Sequence, residues 1–573
     1  GQCIYGVDIN PMAVELCKVN LWMDALEPGK PLTFLEHRIQ CGNSLIGATP
    51  ALLQKGIPNE AFKPIEGDDP SVIRKAKMEN QERRSGQYQG KLTKLIHELW
   101  NRLGDLAASV FNLNEIDDSD IEGVLKKQKR YQDLIQSSGY LFGHLWADAW
   151  CAAFVWKKNN EFPYPLTEEE FRKIEKSPHS IPPWMTEEIK RLSRQYGFFH
   201  WHLAFPDVFQ PVQDLKQAEN KKAGWNGGFD VVLGNPPWEH IELKEKEWFS
   251  FKYPEIAKAA GAKRKKLIQD LEETDPQLFK DYYDSKRFIS AQNHLIRNSN
   301  RYHLTAKGRI NSYAIFAESM RDILNDLGRL GCILPSGIAT DDNTKDFFQY
   351  IIKYRSLVSL YDFENRKGIF PGVHRSYKFC LMTITGHNRP TRTGAWFAFF
   401  LLDIQELKDK EKIFTLSAED ISLINPNTKT CPIFRSQKDA ELTKEIYQRV
   451  PVLIKEDDPE GNPWGISFKQ GLFNMTSDSH LFRTKEDLEN EDWILVGNIF
   501  EKENEKYLPL YEAKMIHHFD HRWATYDDSG NTHELTIEEK QDPNCVVQPR
   551  YWVPEWEVLK RGSQVPNESD FDK

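Results

Sequence analysis

Phe229-Asp230-Val231-Val232-Leu233-Gly234-Asn235-Pro236-Pro237-Trp238 is the stretch on which the fold of this sequence turns. Phe229 to Leu233 is a short apolar run, stopped by Gly234-Asn235, with the length and composition of a buried parallel strand. In an open α/β sheet, ligands bind beyond the carboxyl ends of the strands, where Asn235 to Trp238 would stand. Their chemistry suits the exocyclic amino group of a base such as adenine, a poor nucleophile because its lone pair is delocalised into the ring. The Asn235 side-chain oxygen and the Pro236 carbonyl are two acceptors able to hold both amino hydrogens, which aims the nitrogen lone pair at an electrophilic methyl. Proline lacks an N–H, so Pro236 and Pro237 stiffen the loop and free its carbonyls for a ligand. Trp238 offers a flat face for an extruded base. Asn-Pro-Pro is also an ordinary turn, and its place directly after a strand is what favours a catalytic role.

The flanking sequence extends the pattern. Cys3 to Ile9 predicts a strand, Pro11 opens a helix carrying Val14, Leu16, Val19 and Leu21, and a second strand near Arg38 to Gln40 leads into Cys41-Gly42-Asn43-Ser44-Leu45. This order predicts a parallel sheet with helices on its faces. From about Thr49 to Gly224 the sequence turns charged and Gln-rich, with a dense apolar segment at Leu145 to Cys151, and reads as mainly helical. Past Trp238, a helix at Ser312 to Leu327 and strands at Leu330 to Leu334, Leu357 to Phe363 and Lys378 to Thr385 continue a doubly wound order. The expected fold is therefore α/β with a Rossmann-like sheet. Residues 1–48 and 225–386 form the two parts of its core, 49–224 a large helical insertion, and 387–573 a mixed α+β connector and recognition region.

Bulk properties limit the function classes. A chain of 573 residues predicts about three or four folded units. The net charge of -10 argues against a uniformly basic nucleic-acid binder, although phosphate binding needs only a local basic surface. Lys126-Lys127-Gln128-Lys129-Arg130 and Lys258 with Lys263-Arg264-Lys265-Lys266 could supply one, or could simply be solvated helix faces. The eight cysteines are scattered without a CxxC pair, which suits reduced thiols in the cytoplasm better than a zinc site. No membrane span or signal sequence is expected. Gly86 to Lys91 is one residue short of a phosphate loop and Leu92 replaces the required hydroxyl, so no ATP site is expected. His517, His518 and His521 lack companion ligands, and Asp527 with Glu538-Glu539-Lys540 is the kind of acidic triplet that arises by chance, so neither a metal site nor a nuclease is expected.

Phe229 to Trp238 resembles motif IV of amino-directed methyltransferases. The wider chain resembles the large adenine methylases of type IIG restriction–modification systems and of phage-defence systems of the DISARM and BREX kind. Gly6 to Pro11, Gly42 to Leu45, Phe205 to Phe209, Gly368 to Pro371, Lys514 to His517, Phe519 to Arg522 and Arg550 to Val553 carry that likeness. The resemblance implies S-adenosylmethionine as cofactor, double-stranded DNA as partner, possible companion proteins of a defence system, and N6 of adenine as the acceptor. It implies that Asp8 binds both ribose hydroxyls of the cofactor, that Ile9 packs on the cofactor adenine, that Asn43 meets the adenine amino group, and that Asn235 also borders the cofactor. It also implies that Phe370, or less readily Tyr377, forms a sandwich with Trp238 around the target base.

The family's Gly-rich loop should stand roughly 20 residues before the ribose acid, yet only seven residues precede Asp8. The chain therefore reads as the middle of a longer protein or one half of a split one, with weak cofactor binding expected of the segment alone. Two other functions stay open at this level: an amino-methyltransferase acting on RNA or protein, and a non-catalytic DNA-binding subunit.

Overall fold

A computed structural model describes residues 3–85, 105–259, 261–466, 468, 471–527 and 530–562. Gly86 to Lys91 lie outside the described residues. The chain divides into two compact units, Gly1–Asp457 and Asp458–Lys573.

In the first unit, β1 (Gly6–Asp8) and β2 (Ile39–Cys41) pair in parallel across α1 (Pro11–Asp24), as the opening sequence predicts. β3 (Phe209–Pro211) and β4 (Trp225–Gly227) form an antiparallel pair directly ahead of the main sheet. That sheet has β5 (Phe229–Gly234), β6 (Leu324–Leu334), β7 (Leu357–Glu364), β8 (Lys378–Thr385), β9 (Ala395–Leu401) and β10 (Phe414–Leu416), in the order β10-β9-β7-β8-β6-β5.

Two expectations change here. The sheet is mixed: β8 runs antiparallel between β6 and β7, and β10 antiparallel to β9. The cause is the connection, because β7 passes to β8 without a crossover helix and a strand returning through a loop alone comes back antiparallel. β9 and β10 belong to the same sheet, so a line at residue 386 passes between neighbouring parts of one core. Among the described residues β5 stands at the end of the sheet order, with Val231 60% and Leu233 79% exposed.

The largest core surrounds α2 (Ser138–Val155), where every residue from Trp146 to Val155 is buried and the Trp150 indole donates to the Gly56 carbonyl at 3.0 Å. Helices Pro70–Ser85, Ile121–Ile135, Glu168–Lys176 and Pro183–Tyr196 lie in the same stretch of chain. α3 (Pro276–Asn298) adds Ala291, Leu295 and Ile296 to this core. α4 (Ser312–Asp322) contributes to the adjoining core under the main sheet.

Buried histidines, His37, His144, His202 and His294, make the fold sensitive to acid, because burial lowers the pKa of each. His294 Nε2 faces the Ala61 carbonyl at 3.2 Å and must donate, which leaves Nδ1 to accept from Asn298 at 3.0 Å. Burial, helped by Lys158, depresses its pKa from 6.5 to about 4. Burial and then Arg38 do the same to His37, also to about 4. The unfolded chain then binds more protons than the native one between these values. Stability is therefore fully present above pH 6.5 and is lost as pH falls toward 4. The melting temperature should drop over that window, and His294→Gln should show a shallower slope; an identical slope would remove His294 from the account.

The second unit contains an antiparallel sheet of β11 (Ile494–Val496), β12 (Ile499–Lys502), β13 (Glu505–Pro509) and β16 (Trp552–Pro554). Between the last two lies the hairpin of β14 (Ala524–Tyr526) and β15 (Thr532–Glu534). Leu488, Phe500 and Trp552 form one core, and Met515, Tyr526, Leu535 and Val547 another. Among the described residues no helix is long and apolar enough to cross a membrane.

Candidate active site

β1 and β5 line one cleft of about 610 Å³. Cys3 to Asp8 form one wall, Val231 to Pro237 another, and Trp201, Phe205 and Phe229 are part of its apolar lining. The cleft thus brings together Asp8 and Asn235, which are far apart in sequence.

Asp8 ends β1 exposed. Its Oδ1 accepts the Asn10 N–H at 2.8 Å, and Asn10 in turn caps α1 by accepting the Met12 N–H at 2.9 Å. Helix capping therefore falls to Asn10, and among the described residues the second carboxylate oxygen of Asp8 has no hydrogen-bond partner. Ile9 follows with its side chain 63% exposed.

Asn43 sits differently from its expected role. It is buried, its N–H donates to the Gly197 carbonyl at 2.7 Å, and its Oδ1 accepts the Leu45 N–H at 3.2 Å. Ser44, not Asn43, lines the cleft. The turn is held from a distance: the buried Arg301 guanidinium donates to the carbonyls of Ser44, Leu45 and Gly47, and the Tyr302 hydroxyl to that of Leu45 at 2.8 Å. No local pattern marks Arg301 or Tyr302, because their partners lie over 250 residues away.

Beyond β5, Asn235 is exposed, and among the described residues neither its carboxamide nor the Pro236 carbonyl has a hydrogen-bond partner. The rest of the loop is fixed by Ser312 at the start of α4. Its hydroxyl donates to the Pro237 carbonyl at 2.6 Å and accepts the Glu239 N–H at 3.1 Å, while its own N–H donates to the Glu239 carbonyl at 2.8 Å. Ser312→Ala removes the two side-chain bonds and should lower the rate of any reaction at Asn235 by about 10-fold through misplacement of the loop. Steady-state kinetics on the folded variant would check this, and an unchanged rate would exclude a positioning role.

On the far side of the loop, Trp238 packs into the aromatic cluster containing Phe363, Phe370 and Phe379. Phe370 meets Phe379 edge-on at 5.1 Å. The Trp238 and Phe370 side chains therefore share one cluster, whereas Tyr377 is 54% exposed and outside it. The two basic runs are partly committed within the fold. Lys127 is buried against Asp118 at 3.1 Å, and Arg264 donates to carbonyls of Ile256, Ala257 and Ala259.

His144, Asp148 and His200 are close enough to suggest a metal site. His200 argues otherwise. Its Nδ1 accepts the Ala48 N–H at 3.0 Å, so the neutral ring carries its proton on Nε2 and donates to Asp148 at 2.9 Å. A metal at Nε2 would require an imidazolate, whereas ligating histidines ordinarily donate from their other nitrogen. The group reads as a buried hydrogen-bonded pair with a neighbouring imidazole.

The sequence matches the family described as "Eco57I restriction-modification methylase" over residues 2–269 and 282–370, more than half of its length. The chain belongs to that family. A protein of Methanocaldococcus jannaschii named "Putative type II restriction enzyme and methyltransferase RM.MjaORFECS2P" is 24% identical over 269 residues, covering 42% of this chain and 18% of that protein. The match thus spans less than a fifth of that relative's length. Among solved structures, the type IIG restriction endonuclease BpuSI is similar with 11% identity and a TM-score of 0.25, covering 82% of this chain and 58% of that one. A nuclease-deletion mutant of the Type ISP restriction-modification enzyme LlaGI, solved with a DNA substrate mimic, gives 12% identity and a TM-score of 0.17, covering 61% and 35%. Likeness at these TM-scores carries no argument about this chain.

Proposed function

We propose that this member of the Eco57I methylase family takes part in methyl transfer from S-adenosylmethionine to N6 of adenine in double-stranded DNA, within a restriction–modification or phage-defence system of the cytoplasm. The observation carrying the proposal is the shared cleft: Asp8 at a strand end lines it together with Asn235 and Pro236, and among the described residues the second Asp8 oxygen, the Asn235 carboxamide and the Pro236 carbonyl have no hydrogen-bond partner. The donor set fits the cofactor at Asp8, whose free oxygen can accept a ribose hydroxyl, and at Ile9, whose apolar side chain is exposed to meet an adenine ring. It fits less well at Asn43, whose carboxamide oxygen is turned to Leu45; a contact to the adenine amino group then falls to its remaining capacity or to Ser44.

The cofactor, when bound, supplies an electrophilic sulfonium methyl. The protein's own part is orientation. Asn235 Oδ1 and the Pro236 carbonyl accept the two hydrogens of the adenine amino group, and Trp238 and Phe370 stack on the extruded ring. Holding the nitrogen lone pair along one direction provides the rate gain, without a metal or covalent intermediate. The product proton passes to water. Residues 387–573, and above all the compact unit from Asp458 onward, are assigned to connecting and to reading the target, because the catalytic loop selects a single base.

The test is incubation of the complete protein with unmethylated duplex DNA and S-adenosylmethionine, followed by mass spectrometry of the digested nucleosides. N6-methyladenine is expected. A folded protein that binds cofactor and modifies no DNA would move the acceptor to RNA or to a protein amide. A protein that binds DNA but no cofactor would make it a non-catalytic subunit.

A further inference from the structure

The connection from β7 to β8 covers residues 365–377 with only a short 3-10 turn at Asn365–Lys367. Loops of this length have no fixed form unless something imposes one. Here one side chain does. Asn365 follows the last residue of β7 and is 0% exposed. Its Nδ2 donates to the carbonyls of Phe370 at 3.0 Å and Val373 at 2.8 Å, and its Oδ1 accepts the Phe370 N–H at 2.9 Å. Its backbone joins in: the Asn365 carbonyl accepts the Gly368 N–H at 2.8 Å, and its N–H donates to the Tyr377 carbonyl at 2.9 Å. Gly368, at a φ of 76°, makes the reversal that brings Phe370 back over Asn365.

Both peptide groups flanking the Phe370 α-carbon are thus tied to one buried carboxamide, while Gly372, His374 and Arg375 of the same loop are exposed. A loop held only for its own sake would not need both ties on the single residue whose ring enters the aromatic cluster with Trp238. We propose that Asn365 is a positioning residue that fixes Phe370 as one wall of the target-base site. This rests on the base-stacking role assigned to Phe370 above. Asn365 touches neither substrate nor cofactor; it acts by holding Phe370 at the height where a ring can stack beside Trp238.

The test compares Asn365→Ala, the isosteric Asn365→Asp and Phe370→Ala in the complete protein. The probe is a duplex with 2-aminopurine at an adenine position mapped as methylated, and amide exchange is followed across 366–376. Asn365→Asp fills the same space and keeps an acceptor for the Phe370 N–H, but sets oxygens against two carbonyls, so it serves should the alanine variant not fold. Expected for both Asn365 variants are a lowered melting temperature, because buried partners lose their bonds, cofactor affinity near wild type in the folded protein, loss of exchange protection at Phe370, altered 2-aminopurine emission, and kcat lower by about 10- to 100-fold, the range for a misplaced group. If Phe370→Ala changes the emission and the Asn365 variants do not, the positioning role is overturned and the stacking role survives. If Phe370→Ala itself leaves emission and kcat unchanged, the stacking role falls and this proposal with it.

Discussion

Asn235→Ala should abolish nearly all methyl transfer, by about 10³-fold in kcat, the loss known for removing one preorganised hydrogen-bond partner at a reacting centre. The structure makes this an unusually clean substitution. Asn235 is exposed and none of the described residues bonds its side chain, so folding stability should stay within about 0.5 kcal/mol. Cofactor affinity should change little, because the role proposed for the carboxamide is on the acceptor nitrogen. Asn235→Asp keeps an oxygen of the same reach and should retain more activity than alanine. Asn235→Gln carries its oxygen about one methylene too far and should behave like alanine. Single-turnover methylation with saturating cofactor measures all three. A wild-type rate for Asn235→Ala would remove this loop from the chemistry whatever its sequence suggests.

The contrast between Asn235 and Asn43 shows what a sequence makes legible. Asn235 is recognisable because its context is local: an apolar strand before it and two prolines after it. Asn43 has an equally suggestive neighbourhood, and its carboxamide oxygen is taken locally by the Leu45 N–H, but its burial comes from Gly197, which meets its backbone, and from Arg301 and Tyr302, which hold the turn that follows it. Nothing within ten residues of Asn43 reports those contacts. The same distinction governs the sheet. Residues of β5, β7, β8 and the second half of β6 are readable as strands from their apolar runs, whereas Leu324 to Leu327, expected as the end of a helix, open β6; the antiparallel placement of β8 depends on the absence of a helix between β7 and β8. That absence is legible in the sequence between the two strands. Ser312 and Asn365 belong to a third class. Each is a small polar residue at the end of an element, common everywhere, and becomes informative only once the loop it holds is seen to carry Pro237 or Phe370.

Asp8→Ala should weaken S-adenosylmethionine binding by about 100-fold, roughly 2.7 kcal/mol, with kcat at saturating cofactor nearly preserved. A carboxylate taking two ribose hydroxyls contributes hydrogen bonds to a charged group, each of about 1.5–3 kcal/mol. Those bonds exist before and during transfer alike, so their loss raises KM for the cofactor and spares the chemical step. Asp8→Asn keeps one acceptor without the charge and should lose about 10-fold. The fold should tolerate both, because α1 is capped by Asn10 and, among the described residues, the Asp8 side chain makes only the bond to the Asn10 N–H. Titration calorimetry on the complete protein reads the affinity, and kinetics read the split. Asp8 and Asn235 stand on the same cleft yet are predicted to fail in opposite ways, one in cofactor affinity and the other in turnover. If both variants lost affinity together, the cleft would be a single binding surface and the division of labour proposed for it would be wrong.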